Sequence, residues 1–394
     1  MLHIANIIKD QHFFDGQIAY HDMTAEVCQH DYFILAWEKQ LTFKYMDMID
    51  RVKILTPDEF IDSLKTNNYD ALFIHNFLYM PLQYMDKLPK EIKVFWFAWG
   101  WDIYCAPHND EFIKMPLLHP KSKSVWREII KQSKLDLCTE FKLRIKKMVK
   151  NIVRYDHVYH NEEPKVYRNA VKRVDYFAGV FPLEYNLVKK NPEFRAEQVY
   201  YEYTNPKDFC ELPNALPTIG DNILVGNSAD INNNHLDVLD YIKNLTLGER
   251  KVIVPISYGG SKNYAKIVAD AYKAELGMNC QILVDYMPRE EYFHLLSTCG
   301  IAIFFHERQQ ATCNVEELLK HGVKVFLSET SINYRHYKSI GMYVFSVQKD
   351  LSDEEIRKPL TDEQKWNNVK ILHRTSNKEY RLQYLYNIYK LLEK

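Results

Sequence analysis

Short apolar runs, each too short for a helix, recur from one end of the chain to the other. In the first half they are His3–Ile8, Val52–Leu55, Ala71–Ile74, Val94–Trp99 and Tyr176–Val180. In the second half they are Asn222–Val225, Lys251–Ile256, Cys280–Val284, Ile301–Phe305, Val323–Leu327 and Met342–Phe345. They are rich in Ile, Val and Phe, so they read as buried strands. Helical patterns follow several of them, as at Asn263–Leu276, Arg289–Ser297 and Asn314–His321. Buried strands alternating with helices predict parallel sheets with helices on both faces, an α/β, doubly wound architecture.

A chain of 394 residues has room for two or three domains at roughly 150 residues each. The stretch from Tyr203 to Asp221 holds three prolines and no periodicity, so it reads as a linker. The predicted organisation is an N-terminal domain over 1–205, a second over 206–376, and a C-terminal helix over 377–394 that packs back on the first. Two Rossmann-like domains facing across a cleft is the simplest arrangement, with ligands at the carboxyl ends of strands.

Composition narrows the function. Lys and Arg number 51 against 52 Asp and Glu, which excludes a globally basic nucleic-acid binder. Seven cysteines at scattered positions, with no C-x-x-C, fit reduced thiols in a cytoplasmic protein. The N-terminus has no signal-peptide pattern, and no apolar stretch approaches the roughly 18 residues of a spanning helix. The Walker-type glycine loop, G-x-G-x-x-G and H-E-x-x-H are all absent. No D-x-D occurs, which points away from a sugar-nucleotide enzyme that clamps a divalent metal between two carboxylates. His157 and His160 are three apart but belong to no established metal-ligand motif, so no metal site is expected.

Glycine is scarce, 12 residues in all, so the few glycines mark turns. The most informative segment is Ile301–Leu319. A strand ends at Phe305, a polar cluster His306-Glu307-Arg308-Gln309-Gln310 follows, and a helix starts near Thr312 or Asn314. A helix N-terminus with an arginine beside it suits a diphosphate; the competing reading is a surface loop with a salt bridge. After the strand Asn222–Val225, the turn Gly226-Asn227-Ser228 allows backbone N–H groups to approach a phosphate or sugar, and Asn232-Asn233-Asn234 caps a helix from about His235. The turn Tyr258-Gly259-Gly260-Ser261 follows a third strand with the same logic. Together these turns suggest one nucleotide-binding face. In the first half, FWFAWGWDIY (Phe95–Tyr104) sets aromatics beside Asp102, which suits either sugar binding or an aromatic core with an N-cap aspartate. His75 ends the preceding strand. Either Asp102 or His75 has the chemistry of a general base on an acceptor hydroxyl. Lys121–Lys150 carries ten basic and three acidic residues, and Phe141, Ile145, Met148, Val149, Ile152 and Val153 share one helical face. That reads as a membrane-surface helix or as a core-facing helix with a basic back.

At these segments the sequence resembles the bacterial dTDP-4-acetamido-4,6-dideoxygalactose (Fuc4NAc) transferases, also called 4-alpha-L-fucosyltransferases, glycosyltransferase family 56. The matching stretches are WGWDIY (Trp99–Tyr104), ILVGNSAD with the downstream His235 (Ile223–Asp230), KVIVP followed by Tyr258, and the run Arg308-Gln309-Gln310 with its helix. The resemblance implies a metal-independent GT-B glycosyltransferase that needs no cofactor and binds its donor in the C-terminal domain. The donor would be a dTDP-linked amino-deoxyhexose. The acceptor would be a polyprenyl-diphosphate-linked saccharide in surface polysaccharide synthesis, met at the inner face of the cytoplasmic membrane. On this reading Arg308, Gln309, Gln310, Thr312, Gly226, Asn227, Ser228 and Tyr258 line the donor pocket. Tyr286 and Met287 contact the base, and Asp102, then His75, are the first choices for an acceptor-side catalytic group. A nucleotide-sugar epimerase of the same fold and a non-catalytic nucleotide-sugar-binding protein remain as alternatives.

Overall fold

The computed structural model describes residues 1–11, 13–37, 41–104, 112–144 and 164–393. They fall into two compact units. One comprises Met1–Met115, Tyr155–Glu211 and Arg374–Lys394; the other comprises Pro116–Arg154 and Leu212–His373.

The first unit is built on seven strands: β1 (Leu2–Ile7), β2 (Cys28–Leu35), β3 (Val52–Leu55), β4 (Ala71–His75), β5 (Lys93–Phe97), β6 (Tyr176–Ala178) and β7 (Glu197–Gln198). Their order is β3-β2-β1-β4-β5-β6-β7, and every pairing is parallel. β4 is buried along its whole length, as a strand covered on both faces must be. The helix Lys378–Leu392 packs Leu385, Ile388 and Tyr389 into the same apolar cluster as Ile4, Phe73 and Phe95. Asn377 caps it by accepting a hydrogen bond from the Tyr380 amide.

The second unit carries β8 (Asn222–Val225), β9 (Val252–Pro255), β10 (Cys280–Leu283), β11 (Cys299–Phe304), β12 (Lys324–Leu327) and β13 (Phe345–Ser346). They are ordered β10-β9-β8-β11-β12-β13 and are also all parallel. The chain runs outward in one direction from β8 and in the other from β11. The strand order therefore reverses between these two, and ligands of doubly wound sheets bind at the carboxyl ends there.

The helix Pro120–Arg144 belongs to this second unit. Its first turn is capped from outside: Asp237, on the helix His235–Ile242, accepts from the amides of Lys121 and Ser122, both at 2.9 Å, and from the Ser122 hydroxyl at 2.6 Å. Val125, Trp126 and Ile129 pack against the unit's core. The residues of the proposed membrane-facing stripe, Phe141 to Val153, lie outside the described side chains, as do His157 and His160. No helix among the described residues is long and apolar enough to cross a membrane.

Candidate functional site

The turns after β8, β9 and β11 meet at the strand-order reversal of the second unit. Gly226 leaves β8 with φ +68°, and its amide donates to Ile303 O on β11 at 2.9 Å. A Cβ here would fall 2.7 Å from both Asn233 Oδ1 and His235 Nε2, so only glycine fits the position. Asn233 then fixes the turn. Its Oδ1 accepts from the Asn227 amide (3.1 Å), and its Nδ2 donates to Ser228 O (3.1 Å) and Asp230 O (3.0 Å). The sequence assigns Asn232–Asn234 to a helix cap. Asn234 does precede the helix His235–Ile242, in the left-handed region at φ +51°, but its side chain does not cap it. That side chain bonds Phe305 O (2.9 Å) and Leu117 O (3.2 Å) and accepts from the His119 amide (2.9 Å).

The turn after β9 is pressed onto this one. The Ala229 amide donates to Tyr258 O at 2.7 Å, and a Cβ on Gly260 would fall 1.9 Å from Ala229 O. Ser261 then caps the helix Lys262–Leu276 by accepting from the Tyr264 amide at 3.1 Å. Asn227 Nδ2 reaches the Tyr258 hydroxyl at 3.4 Å. Burial pushes that hydroxyl up; the Asn227 bond opposes this, while Tyr286, Cys313 and Asp230 nearby add to it. Tyr286, in the turn after β10, is thus a neighbour of Tyr258, and both rings are largely exposed.

Three consecutive residues after β11 fan out. His306 Nε2 donates to Asn233 Oδ1 at 2.8 Å. Glu307 accepts from His119 Nε2 (2.7 Å), Ser328 Oγ (2.5 Å) and Thr330 Oγ1 (2.7 Å). Arg308 donates through one amino group to Asp230 Oδ2 (3.0 Å) and through the other to Gln309 O (3.0 Å). Burial and the Arg308 charge hold His306 far below its ordinary value, and burial alone holds His235 at about 3, so both are neutral near pH 7. Burial pushes Glu307 up, but its three donors more than offset this and keep it below the usual carboxylate range.

Arg308 is therefore not the free bidentate clamp that its sequence position suggests. Both amino groups have protein partners, and its buried Nε has none among the described residues. Asn227 Oδ1, Gln310 Oε1 and both ring nitrogens of His235 are also buried and unpartnered there. Buried polar atoms normally find partners, so their gathering around one set of turns marks a place prepared for a polar ligand. The helix after β11 starts at Thr312, with Ala311 (φ +57°) before it and no side-chain cap. Gln309 Nε2 bonds Thr312 Oγ1 at 2.6 Å. Met287 follows Tyr286 in the turn after β10.

The first unit treats its two candidates differently from the sequence reading. Asp102 is fully buried in the helical turn Trp101–Tyr104. Its Oδ2 accepts from the Phe77 amide (2.9 Å) and Trp96 Nε1 (2.5 Å), and its Oδ1 accepts from the Trp99 amide (2.9 Å). Burial raises its pKa although these donors pull the other way. A substrate hydroxyl would have to displace one of them. His75 is also fully buried, between the Tyr203 hydroxyl (3.0 Å) and Asn6 Oδ1 (3.1 Å), and burial holds it at about 3. Both are internal braces of the β1, β4 and β5 strand ends. Asp102→Asn is expected to cost about 1–3 kcal/mol, because an amide cannot accept at both ends and leaves a buried donor unpaired. Chemical denaturation of the variant checks this; unchanged stability with lost turnover would restore a catalytic role for the carboxylate.

Sequence reasoning missed Asp230, Asn233 and His119 as site residues. The first two lie inside a recognised motif, and their partners are visible only in three dimensions. His119 sits between Leu117 and Pro120 with no motif around it.

A model of the family described as 4-alpha-L-fucosyltransferase glycosyl transferase group 56 matches residues 154–380. Among solved structures, sucrose-phosphate synthase from Thermosynechococcus elongatus is 10% identical with a TM-score of 0.62, over 100% of this chain and 99% of that one. HepE from Anabaena, in complex with UDP and glucose, is 10% identical with a TM-score of 0.60 over 100% of both chains. An alpha-glucosyltransferase in complex with UDP is 9% identical with a TM-score of 0.53, again over 100% of both. At such identities the likeness is one of fold, and the fold is that of the GT-B glycosyltransferases.

Proposed function

We propose, because the chain belongs to the 4-alpha-L-fucosyltransferase family, glycosyl transferase group 56, that it moves an amino-deoxyhexose from a dTDP-linked donor to a polyprenyl-diphosphate-linked saccharide. It is a glycosyltransferase of GT-B fold and an enzyme of the hexosyltransferase class. The donor sugar is 4-acetamido-4,6-dideoxygalactose, the acceptor is met at the inner face of the cytoplasmic membrane, and no metal is required. The observation that carries this reading is the convergence of the turns after β8, β9 and β11 at the strand-order reversal, with unpartnered buried polar atoms among them.

The donor diphosphate is held by the backbone of Gly226-Asn227-Ser228, by the Nε of Arg308 beside Gln309 and Gln310, and by the uncapped N-terminus of the helix from Thr312. Fixed donors of this kind stabilise the charge that grows on a leaving diphosphate. Tyr258 and Tyr286 supply ring faces for the base and Met287 an apolar edge. Two of the structural neighbours are complexes with UDP, which supports a nucleoside diphosphate as the class of ligand. The basic stretch Lys121–Lys150 supports an encounter with an anionic membrane surface.

Thermal-shift titration with dTDP, UDP, GDP, ADP and CDP, with and without Mg²⁺, tests the reading. Stabilisation by dTDP without metal is expected, reaching about 2.7 kcal/mol at a hundred times its dissociation constant. A preference for UDP or GDP discards the dTDP-linked donor. No response to any of them removes the nucleotide site.

A further inference from the structure

We propose that His119 is the general base of the transfer reaction and that Glu307 positions it. The inference rests on the glycosyltransferase reading and adds to it the group that activates the acceptor.

His119 differs from the other histidines of this face. His235 and His306 are fully enclosed, whereas the His119 side chain is 24% exposed and the Glu307 carboxylate behind it only 6%. The ring lies flat on Phe305, with centroids 4.1 Å apart and planes at 18°, and its backbone amide is fixed to Asn234 Oδ1. Nε2 donates to Glu307 Oε1 at 2.7 Å. Glu307 is ionised and is itself fixed by the hydroxyls of Ser328 and Thr330. That bond assigns the neutral ring's proton to Nε2 and leaves Nδ1 with a lone pair. Nδ1 has no hydrogen-bond partner among the described residues. A base whose second nitrogen is oriented by a carboxylate is the arrangement that general-base catalysis requires. The same segment connects it to the donor turns: Arg308 follows Glu307, and Asn234 follows the Asn233 that fixes Gly226-Asn227-Ser228.

In the step, Nδ1 takes the proton of the acceptor hydroxyl while that oxygen bonds to the anomeric carbon of the donor. The bond from that carbon to the diphosphate oxygen breaks, and its electron pair leaves with the nucleoside diphosphate. Glu307 stabilises the imidazolium so formed, which passes its proton to water once the products have left.

The test compares wild type, His119→Gln, His119→Ala and Glu307→Gln in transfer from dTDP-Fuc4NAc to a polyprenyl-diphosphate-linked saccharide, with dTDP affinity measured by calorimetry on the same samples. Glutamine at 119 still donates to Glu307 and so preserves the fold without a base. Both His119 variants are expected to lose about 10²–10⁴-fold in kcat while the dTDP dissociation constant stays within about threefold. Added imidazole is expected to restore part of the His119→Ala rate. Glu307→Gln is expected to lower kcat with the donor KM unchanged and to gain nothing from imidazole. A His119→Gln enzyme that turns over near the wild-type rate overturns the proposal, as does a loss of kcat matched by an equal loss of dTDP affinity. Wild type that neither binds dTDP nor consumes donor removes the glycosyltransferase reading and this inference with it, a pattern none of the variants can mimic.

Discussion

Between pH 7 and pH 5 this protein is expected to lose much of its stability, with unfolding drawing protons from solution. The cause is a set of histidines kept neutral by burial. His21, His30 and His75 form a cluster in the first unit, the rings of His21 and His30 stacked at 4.0 Å. Burial, and then the repulsion of each by another member, keeps all three far below their ordinary range, His75 at about 3. Their hydrogen bonds fit neutral rings. Asn6 donates to His30 Nδ1 and accepts from His75 Nε2, so His30 offers its own proton to the Tyr389 hydroxyl and His75 accepts at Nδ1 from Tyr203. In the second unit burial holds His235 at about 3 and His336 at about 4, and His306 is also well below normal. The unfolded chain takes protons at these positions near pH 6.5 and the folded chain does not. Stability is therefore full above that value and falls as pH drops through the window down to about 4, by about 2 kcal/mol for each histidine between pH 7 and 5. Glu184 and Glu316, each raised by burial to about 7, run the other way. They gain their protons on folding in the same window and offset roughly two histidines. The histidines outnumber them, and the total stability of a domain is only about 5–15 kcal/mol. Melting temperatures measured across this range should fall steeply, and His75→Gln should flatten the curve. A melting temperature constant from pH 7 to 5 would mean that the cluster is open to water and protonates while folded.

The sheet was legible where strands are buried on both faces, because their sequences are unbroken apolar runs. β9 and β11 are such strands, and the turns that follow them could be placed from the sequence alone. β2 escaped because Gln29, His30 and Asp31 interrupt its apolar character. Two of these have tasks the sequence does not announce: His30 belongs to the buried cluster, and Asp31 accepts from the Tyr69 hydroxyl at 2.7 Å. β7 escaped because Glu197 and Gln198 form only a two-residue edge. The helix Pro120–Arg144 could be read as amphipathic, but amphipathicity does not say which body a helix packs on. That choice rests on Asp237, more than a hundred residues downstream. The candidate site shows the same limit. Glycines, an arginine and helix starts have local signatures, so the three turns could be found. Pairings such as Arg308 with Asp230, His306 with Asn233 and His119 with Glu307 are set by which turns the strand order brings together.

That dependence on pairing makes Gly260→Ala the substitution with the largest expected effect on the donor site. Nothing about the backbone angle of Gly260 demands glycine; space does. The new methyl would lie 1.9 Å from Ala229 O and 2.4 Å from Ala229 C, both main-chain atoms that no rotamer change can move. The turn Ser228–Asp230 must retreat, breaking the bond from the Ala229 amide to Tyr258 O. Asp230 moves with it, and Arg308, almost fully enclosed, loses its carboxylate partner. Overpacking of this kind costs about 1–3 kcal/mol, and leaving a buried charge unpaired adds about 3–5 kcal/mol if Arg308 cannot reorient. Donor affinity is expected to fall at least as far as stability, because the displaced segment is the one proposed to hold the diphosphate. Gly248→Ala provides the comparison. Gly248 has φ +61° with nothing within 4 Å of a Cβ, so its replacement carries only the strain of a left-handed residue, about 1–2 kcal/mol, and leaves dTDP binding intact. Calorimetric titration of dTDP into both variants separates the cases. If Gly260→Ala binds dTDP as tightly as Gly248→Ala, the contact between the turns after β8 and β9 does not shape the donor site, and the nucleotide lies elsewhere on the second unit.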